Sequence, residues 1–175
     1  MMMKKTFFLV LAVAVCVCMP AIAGAEVKPI IQDNMSVERS LRADFLSSIG
    51  DHIVGGAGWL VMPVLHDGFL PEINDSFDVE LGGYVAWYFK GESSYVFLEP
   101  AAGVKWNFHV LEELTLYVGA RTGLVIGLGA DIFEPDGGGI LGLYWHLGQG
   151  VDLRLEGAYA HVGRGGAQVG VSFPF

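Results

Sequence analysis

Residues 95–126 decide the fold, and their sequence is YVFLEPAAGVKWNFHVLEELTLYVGARTGLVI. In the first half one face is apolar: Val96, Leu98, Pro100, Ala102, Val104, Trp106, Phe108 and Val110. The opposite face mixes small, polar and charged residues: Tyr95, Phe97, Glu99, Ala101, Gly103, Lys105, Asn107 and His109. After the short turn at 111–113, residues 114–126 alternate in the same way, with Thr122 interrupting the apolar face. A period of two is the period of a β-strand, so this stretch predicts two antiparallel strands joined by a tight turn.

The same period recurs along the chain. Further strands are predicted at about 77–90, 141–147, 151–160 and 168–175, and an earlier one at about 52–64 is apolar on both faces. Turn-forming residues separate these strands at 91–94, 148–150 and 163–166. The largest loop is predicted at Gly127–Gly139, which contains Asp131, Glu134, Pro135 and Asp136. These patterns predict seven strands.

Residues 26–50 allow two interpretations. Val37, Leu41, Phe45 and Ile49 recur every four residues, and Ser36 could cap an amphipathic helix. The alternative is an eighth strand, which parity favours because single-chain bacterial barrels have even strand numbers. With the C-terminus on the periplasmic side, the tight turns would lie there and the largest loop outside.

The first 25 residues indicate export. Lys4 and Lys5 precede an apolar run, Thr6–Met19, which Pro20 interrupts before the small residues at 21–25. This is typical of a cleaved secretory signal peptide, and the run is too short to span a bilayer as a helix. Both cysteines, Cys16 and Cys18, fall within it, so the mature chain is expected to have no thiol chemistry.

Charge and motifs limit the function classes. Beyond residue 25 the chain keeps 8 of its 10 Lys and Arg residues and all 19 Asp and Glu residues, a net charge of 8 − 19 = −11. Nucleic-acid binding depends on Lys and Arg, so no nucleic-acid partner is expected. We also expect no cofactor and no metal site, because His109 and His146 are isolated in sequence and better suit a packed interior than a ligand set.

The charges all fall on one face of the predicted strands. The charged residues of this face are Asp78, Glu80, Glu99, Lys105, Arg121, Asp152, Arg154 and Glu156. Many small residues share this face, which suits the cramped interior of a narrow barrel, where the charges would have to pair. The opposite face is uncharged in the six clear strands, as contact with hydrocarbon requires. Aromatic residues near strand ends predict an interfacial girdle of Trp87, Phe89, Trp106, Phe108, Trp145 and Phe173. A lipocalin-like soluble barrel would have the opposite arrangement, with its apolar face inside.

Two stretches carry a resemblance to a known family. Residues 168–175, QVGVSFPF, resemble the C-terminal signature of outer-membrane barrels, in which an alternating last strand ends in an aromatic residue; Pro174 is unusual in that position. Residues 103–123 are similar to the small porin-like barrels of the outer membrane protein A and W type. The resemblance implies an eight-stranded antiparallel up-and-down transmembrane β-barrel over residues 51–175, with residues 26–50 as a lead, in the cell outer membrane. It also implies Phe175 as the assembly signal, outer-membrane lipids and lipopolysaccharide as surroundings, and the barrel-assembly machinery and periplasmic chaperones as partners during export.

The family hosts several functions, so the fold does not choose among them. We expect a non-enzymatic structural or interaction role with a filled interior. A narrow or gated conduit for ions or small solutes is the alternative. It ranks second because eight strands leave room for side chains rather than for a channel. A lipid-modifying enzyme is the third possibility, but His161 lacks the serine two residues later that lipid A deacylases show.

Overall fold

The computed structural model describes residues 41–50, 52–66, 68–70, 73–90, 93–129, 131–148, 150–160 and 166–175. These ranges hold eight strands, which are β1 (Arg42–Gly50), β2 (Ile53–Leu65), β3 (Asp75–Lys90), β4 (Ser93–Leu111), β5 (Leu114–Leu128), β6 (Phe133–His146), β7 (Asp152–Ala160) and β8 (Gly166–Pro174). Within the same ranges no helix is long and apolar enough to cross a membrane. The predicted signal peptide at 1–25 lies outside the described residues.

The eight strands form one closed barrel. Each strand pairs antiparallel with the next, and β1 closes the sheet against β8. The eight-stranded antiparallel fold predicted from the sequence is therefore confirmed. Closure matters because every strand then has two partners and no edge is left open.

The helix considered for residues 26–50 is wrong where the structure describes them, because residues 42–50 form β1. The spacing misled because a repeat of four is also two strand periods. Phe45 accordingly points out of the barrel, while Asp44 and Leu46 are buried inside it. The parity argument identified the right element.

The predicted large loop at Gly127–Gly139 is also wrong. Strand β5 continues to Leu128, and β6 already begins at Phe133. The glycines that suggested a loop are paired strand residues, with Gly137 opposite Thr122 and Gly139 opposite Ala120. The longest interval between strands is instead 66–74, at the end of the barrel where β1 begins and β8 ends. We call this the terminal end and the opposite one the far end.

The two faces of the sheet differ as the alternation predicts. In β4, Lys105, Asn107 and His109 are buried, whereas Leu98 and Val104 are exposed. Strand β2, whose faces the sequence did not distinguish, turns Ala57, Trp59 and Val61 inward. Apolar side chains therefore cover the outside and polar ones fill the inside, opposite to a lipocalin-like barrel.

The interior is packed closely enough to require glycine at particular positions. Trp59 lies inside the barrel against β3, where its cross-strand partner is Gly82. A Cβ added at Gly82 would lie 2.9 Å from atoms of Trp59, closer than real Cβ contacts. The small residues of the inner face thus make room for the large ones.

The β1–β8 register can be tested by crosslinking. Ser47 is opposite Val169, whereas Phe173 is opposite Ala43. In a chain with Cys16→Ser and Cys18→Ser, we expect Ser47→Cys with Val169→Cys to form a disulfide on mild oxidation, because directly opposed strand residues lie within disulfide range. Ser47→Cys with Phe173→Cys is the matched control and should stay reduced, as thiol labelling and gel mobility would report. Equal crosslinking of both pairs would contradict the register.

Candidate functional site

The interior side chains form three groups, which we treat as the candidate site. The central cluster consists of Asp44, Glu80, Lys105, Tyr117, Arg121, Tyr144, Arg154 and Glu156. The terminal ring, near the terminal end, consists of Arg42, Ser76, Asp78, Asn107, His109, Thr115, His146 and Asp152. The far-end aromatic cluster consists of Tyr88, Tyr95 and Phe97.

Arg154 lies at the middle of the central cluster and is 0% exposed. Its guanidinium donates to Asp44 Oδ2 through Nη1 and to Glu156 Oε2 through Nη2, the latter at 2.5 Å. Its Nε donates to the hydroxyl of Tyr117 at 2.9 Å. A buried guanidinium needs such paired acceptors, because an unpaired charge in the interior is very costly.

Arg121 bridges Glu80 and Glu156, the second of which also binds Arg154. It donates through Nε to Glu80 and through Nη1 and Nη2 to Glu156, with Nη2 to Oε2 at 2.8 Å. Its guanidinium also lies 4.1 Å from the ring centroid of Trp59. This fork of donors stacked on an indole is an arrangement that a lysine could not reproduce.

Lys105 and two tyrosines complete the cluster. Lys105 Nζ donates to Tyr144 Oη and lies 3.5 Å from Glu80 Oε2. Tyr144 Oη in turn donates to Asp44 Oδ2 at 2.7 Å. Among the described residues the cluster pairs three cations, Lys105, Arg121 and Arg154, with three carboxylates, Asp44, Glu80 and Glu156. The group is therefore neutral in sum, and its charges cross-link five strands, β1, β3, β4, β5 and β7.

The side chains of the terminal ring are joined by an open chain of hydrogen bonds that follows the barrel mouth. Arg42 Nη1 donates to Asp152 Oδ2 at 2.8 Å, and Asp152 Oδ1 lies 2.9 Å from His146 Nδ1. Thr115 Oγ1 lies 3.1 Å from His146 Nε2 and 3.0 Å from His109 Nδ1. The line continues to β3, where Ser76 Oγ lies 3.0 Å from His109 Nε2.

Three aromatic rings from β3 and β4 pack together on the inner face near the far end. Tyr95 and Phe97 are 4.8 Å apart between ring centroids, and Tyr88 is 4.9 Å from Tyr95. Toward the middle of the barrel Leu46, Ala57 and Val125 are buried. Buried side chains therefore occupy the inner face between the far-end aromatic cluster and the central cluster.

The structure distributes the charged residues predicted for the interior. It brings Glu80, Lys105, Arg121, Arg154 and Glu156 into the central cluster. Asp152 and Asp78 belong to the terminal ring, where Asp78 accepts from Asn107 Nδ2 at 2.8 Å. Glu99 lies on the inner face nearer the far end, opposite Tyr84.

The predicted girdle residues lie at two heights on the outside. Trp87 and Phe89 pack together at the far end, and Trp106 and Phe108 do so near the terminal end. Phe173 packs edge-on against Phe45, and Trp145 lies beside the β6–β7 turn. Phe175 is exposed, and its amide donates to Leu41 O at 2.9 Å.

Several interior residues were not identified from the sequence. Asp44 was missed because residues 26–50 had no assigned faces, and Trp59 because β2 is apolar on both sides. Tyr117 and Tyr144 alternate inward, so the period contained their signal. Asp136, taken as a loop charge, is a buried residue of β6. Thr115 has the same inward parity as Tyr117, but its contacts, like those of Ser76, are with other strands and could not be predicted from the alternation.

Across the described ranges no group of three or more His, Cys, Asp or Glu residues is arranged to hold a metal ion. His109 and His146 are hydrogen-bonded interior side chains. His161 lies outside the described residues.

Comparison with known proteins supports the architecture only. No protein-family model and no curated protein matches this chain. One solved chain that it matches comes from the de novo design of transmembrane β-barrels. The TM-score is 0.54 at 16% sequence identity, over 83% of this chain and 99% of that chain. At this identity the likeness establishes a shared β-barrel fold.

The central cluster makes a specific prediction about stability. Arg154→Met leaves Asp44 buried without its guanidinium partner and the cluster with one excess negative charge, and we expect it to lower the free energy of unfolding by about 3–5 kcal/mol. Denaturant unfolding in lipid vesicles, followed by tryptophan fluorescence, would measure this change. Glu113→Gln, in the exposed β4–β5 turn, is the control and should change the stability by less than about 0.5 kcal/mol. A near-neutral Arg154→Met would mean that the cluster is not buried as described.

Proposed function

We propose that this protein is a bacterial outer-membrane barrel with a structural role and a lumen closed to solutes. The observation that carries the proposal is the reversed polarity of the sheet, with charges buried inside and large apolar side chains exposed outside. Leu141, for example, is 59% exposed on the outer face. A water-soluble barrel would lose stability from such a surface, whereas hydrocarbon favours it.

The outward positions of the described strands carry one charged residue, and it is shielded. Asp75 begins β3 on the outside, but it is buried. Its Oδ2 accepts from the amide of Phe69 at 3.1 Å and from Trp106 Nε1 at 2.5 Å. Phe69 packs against Phe77 and Trp106, so this connection covers the carboxylate with aromatic rings. A charge so covered is compatible with an interfacial position.

The height of the apolar surface supports a bilayer span. Phe77 and Trp87 lie on the outer face of β3, near its two ends. Ten positions at about 3.3 Å per residue, tilted by about 40°, give a height of about 25 Å. This equals the apolar band of known outer-membrane barrels.

The proposed export and assembly rest on the sequence features of residues 1–25 and of strand β8. We propose that residues 1–25 are removed as a signal peptide and that periplasmic chaperones and the barrel-assembly machinery recognise Phe175 at the end of β8. Lipids and lipopolysaccharide would then surround the barrel. The charge balance of the sequence supports no nucleic-acid partner.

A structural role is favoured over a conduit by the filled interior. The central cluster and the far-end aromatic cluster occupy the cross-section in which a conduit would need space. An adhesive or receptor role by long loops has little support, because the far-end intervals between strands are short, the longest being 161–165. We propose no catalytic role.

Membrane contact can be tested on the outer face. Leu141→Arg places a charge in the apolar band, and we expect it to lower the free energy of unfolding of the vesicle-inserted protein by about 2–4 kcal/mol. Glu113→Arg, in the exposed turn at the terminal end, should have little effect. If Leu141→Arg left stability unchanged or raised it, the outer face would be in water.

The closed lumen can be tested electrically. Purified protein added to planar bilayers should give no stepwise conductance, because the interior side chains exclude a water path. A large-diameter porin serves as the positive control for insertion. Reproducible channels that disappear on Arg121→Ala would contradict a closed barrel and support the conduit.

A further inference from the structure

The hydrogen bonds of the terminal ring all point in one donor-to-acceptor direction, which the Asp152 end determines. The Asp152 carboxylate contacts the Arg42 guanidinium at 2.8 Å and His146 Nδ1 at 2.9 Å. An ionised carboxylate only accepts hydrogen bonds, so His146 Nδ1 carries a hydrogen. In a neutral imidazole the other nitrogen is then an acceptor. Thr115 must therefore donate to His146 Nε2.

The direction continues through the ring. Because the single hydroxyl hydrogen of Thr115 goes to His146, its oxygen accepts from His109 Nδ1 at 3.0 Å. His109 Nε2 is then the acceptor for Ser76 Oγ at 3.0 Å. Both histidines are thus neutral with the hydrogen on Nδ1, the less populated form of free histidine in water.

The second end is compatible with the same direction. Asn107 Nδ2 donates to Asp78 Oδ2 at 2.8 Å, which fixes the orientation of the amide. The same nitrogen donates to Ser76 Oγ at 3.2 Å. Ser76 therefore accepts from Asn107 and keeps its own hydrogen for His109.

A second consistent state holds one more proton on His146, the histidine whose Nδ1 lies 2.9 Å from the Asp152 carboxylate. If His146 carries hydrogens on both nitrogens, Thr115 must accept from it and donate to His109 Nδ1. His109 then carries its hydrogen on Nε2 and donates to Ser76. Two added protons would direct two charged imidazoles at the oxygen of Thr115. The proton comes from water, and no bond between heavy atoms changes.

We propose that the terminal ring is a binding site for a single proton, in which the charge on His146 sets the tautomer of His109. This site couples β7 at one side of the barrel mouth to β3 at the other. Because its residues lie inside the barrel, the proposal does not depend on the proposed function. The charged groups that face the two histidines from the packed strands, and from the cluster below, are Arg42, Asp44, Asp78, Glu80, Lys105, Asp152 and Arg154.

The test is ¹⁵N NMR of the full barrel with labelled histidine, in lipid nanodiscs, between about pH 8 and about pH 5. At the upper pH we expect Nδ1–H on both His109 and His146. On acidification His146 should become doubly protonated while His109 changes to Nε2–H at the same midpoint. His52→Gln, at the far-end β1–β2 connection, is the control and should leave both signals unchanged.

Thr115→Val removes the bridging hydroxyl and keeps the side-chain shape. In this variant the tautomer of His109 should no longer follow the charge on His146, although heat-modifiable gel mobility should show that the barrel still folds. Three results would overturn the proposal: Nε2–H on either histidine at the upper pH, simultaneous charging of both, or a coupled response that survives Thr115→Val.

Discussion

The barrel depends on the need to pair every charge inside a narrow lumen. Eight strands enclose a space that side chains fill, so Arg154 and Arg121 cannot remain hydrated and must meet Asp44, Glu80 and Glu156 directly. These contacts join residues from β1, β3, β5 and β7. Buried ion pairs add little net stability compared with apolar packing. Their consequence is geometric, because the pairs match only when these four strands are in register.

The outer surface follows from the same arrangement. With the polar side chains committed to the interior, period two leaves Leu, Val and aromatic residues on the outside. The exception, Asp75, is covered by Phe69 and accepts a hydrogen bond from Trp106. Its charge is therefore paired and buried like the charges of the interior. The proposed membrane location and closed lumen are thus two consequences of one distribution of polarity.

The period of two predicted the strand order and most inward and outward positions, because alternation is local information. It failed where other features have the same signature. The four-residue spacing around Phe45 suited a helix as well as a strand, and the glycines at 137–139 suited a loop as well as a tightly packed sheet. Which carboxylate meets which arginine, and that Thr115 lies between two histidines, depends on register and shear. Those are properties of the closed barrel and not of any single strand.

The arrangement of faces is tested most directly with single-tryptophan proteins in vesicles whose acyl chains carry bromine, a contact quencher. Trp87 is 54% exposed on the outer face, and Trp59 is 5% exposed inside the barrel. A protein that retains only Trp87 should be strongly quenched, and one that retains only Trp59 should not. Quenching of Trp59 with Trp87 unaffected would contradict the account, as would a failure of the lipid to quench either residue.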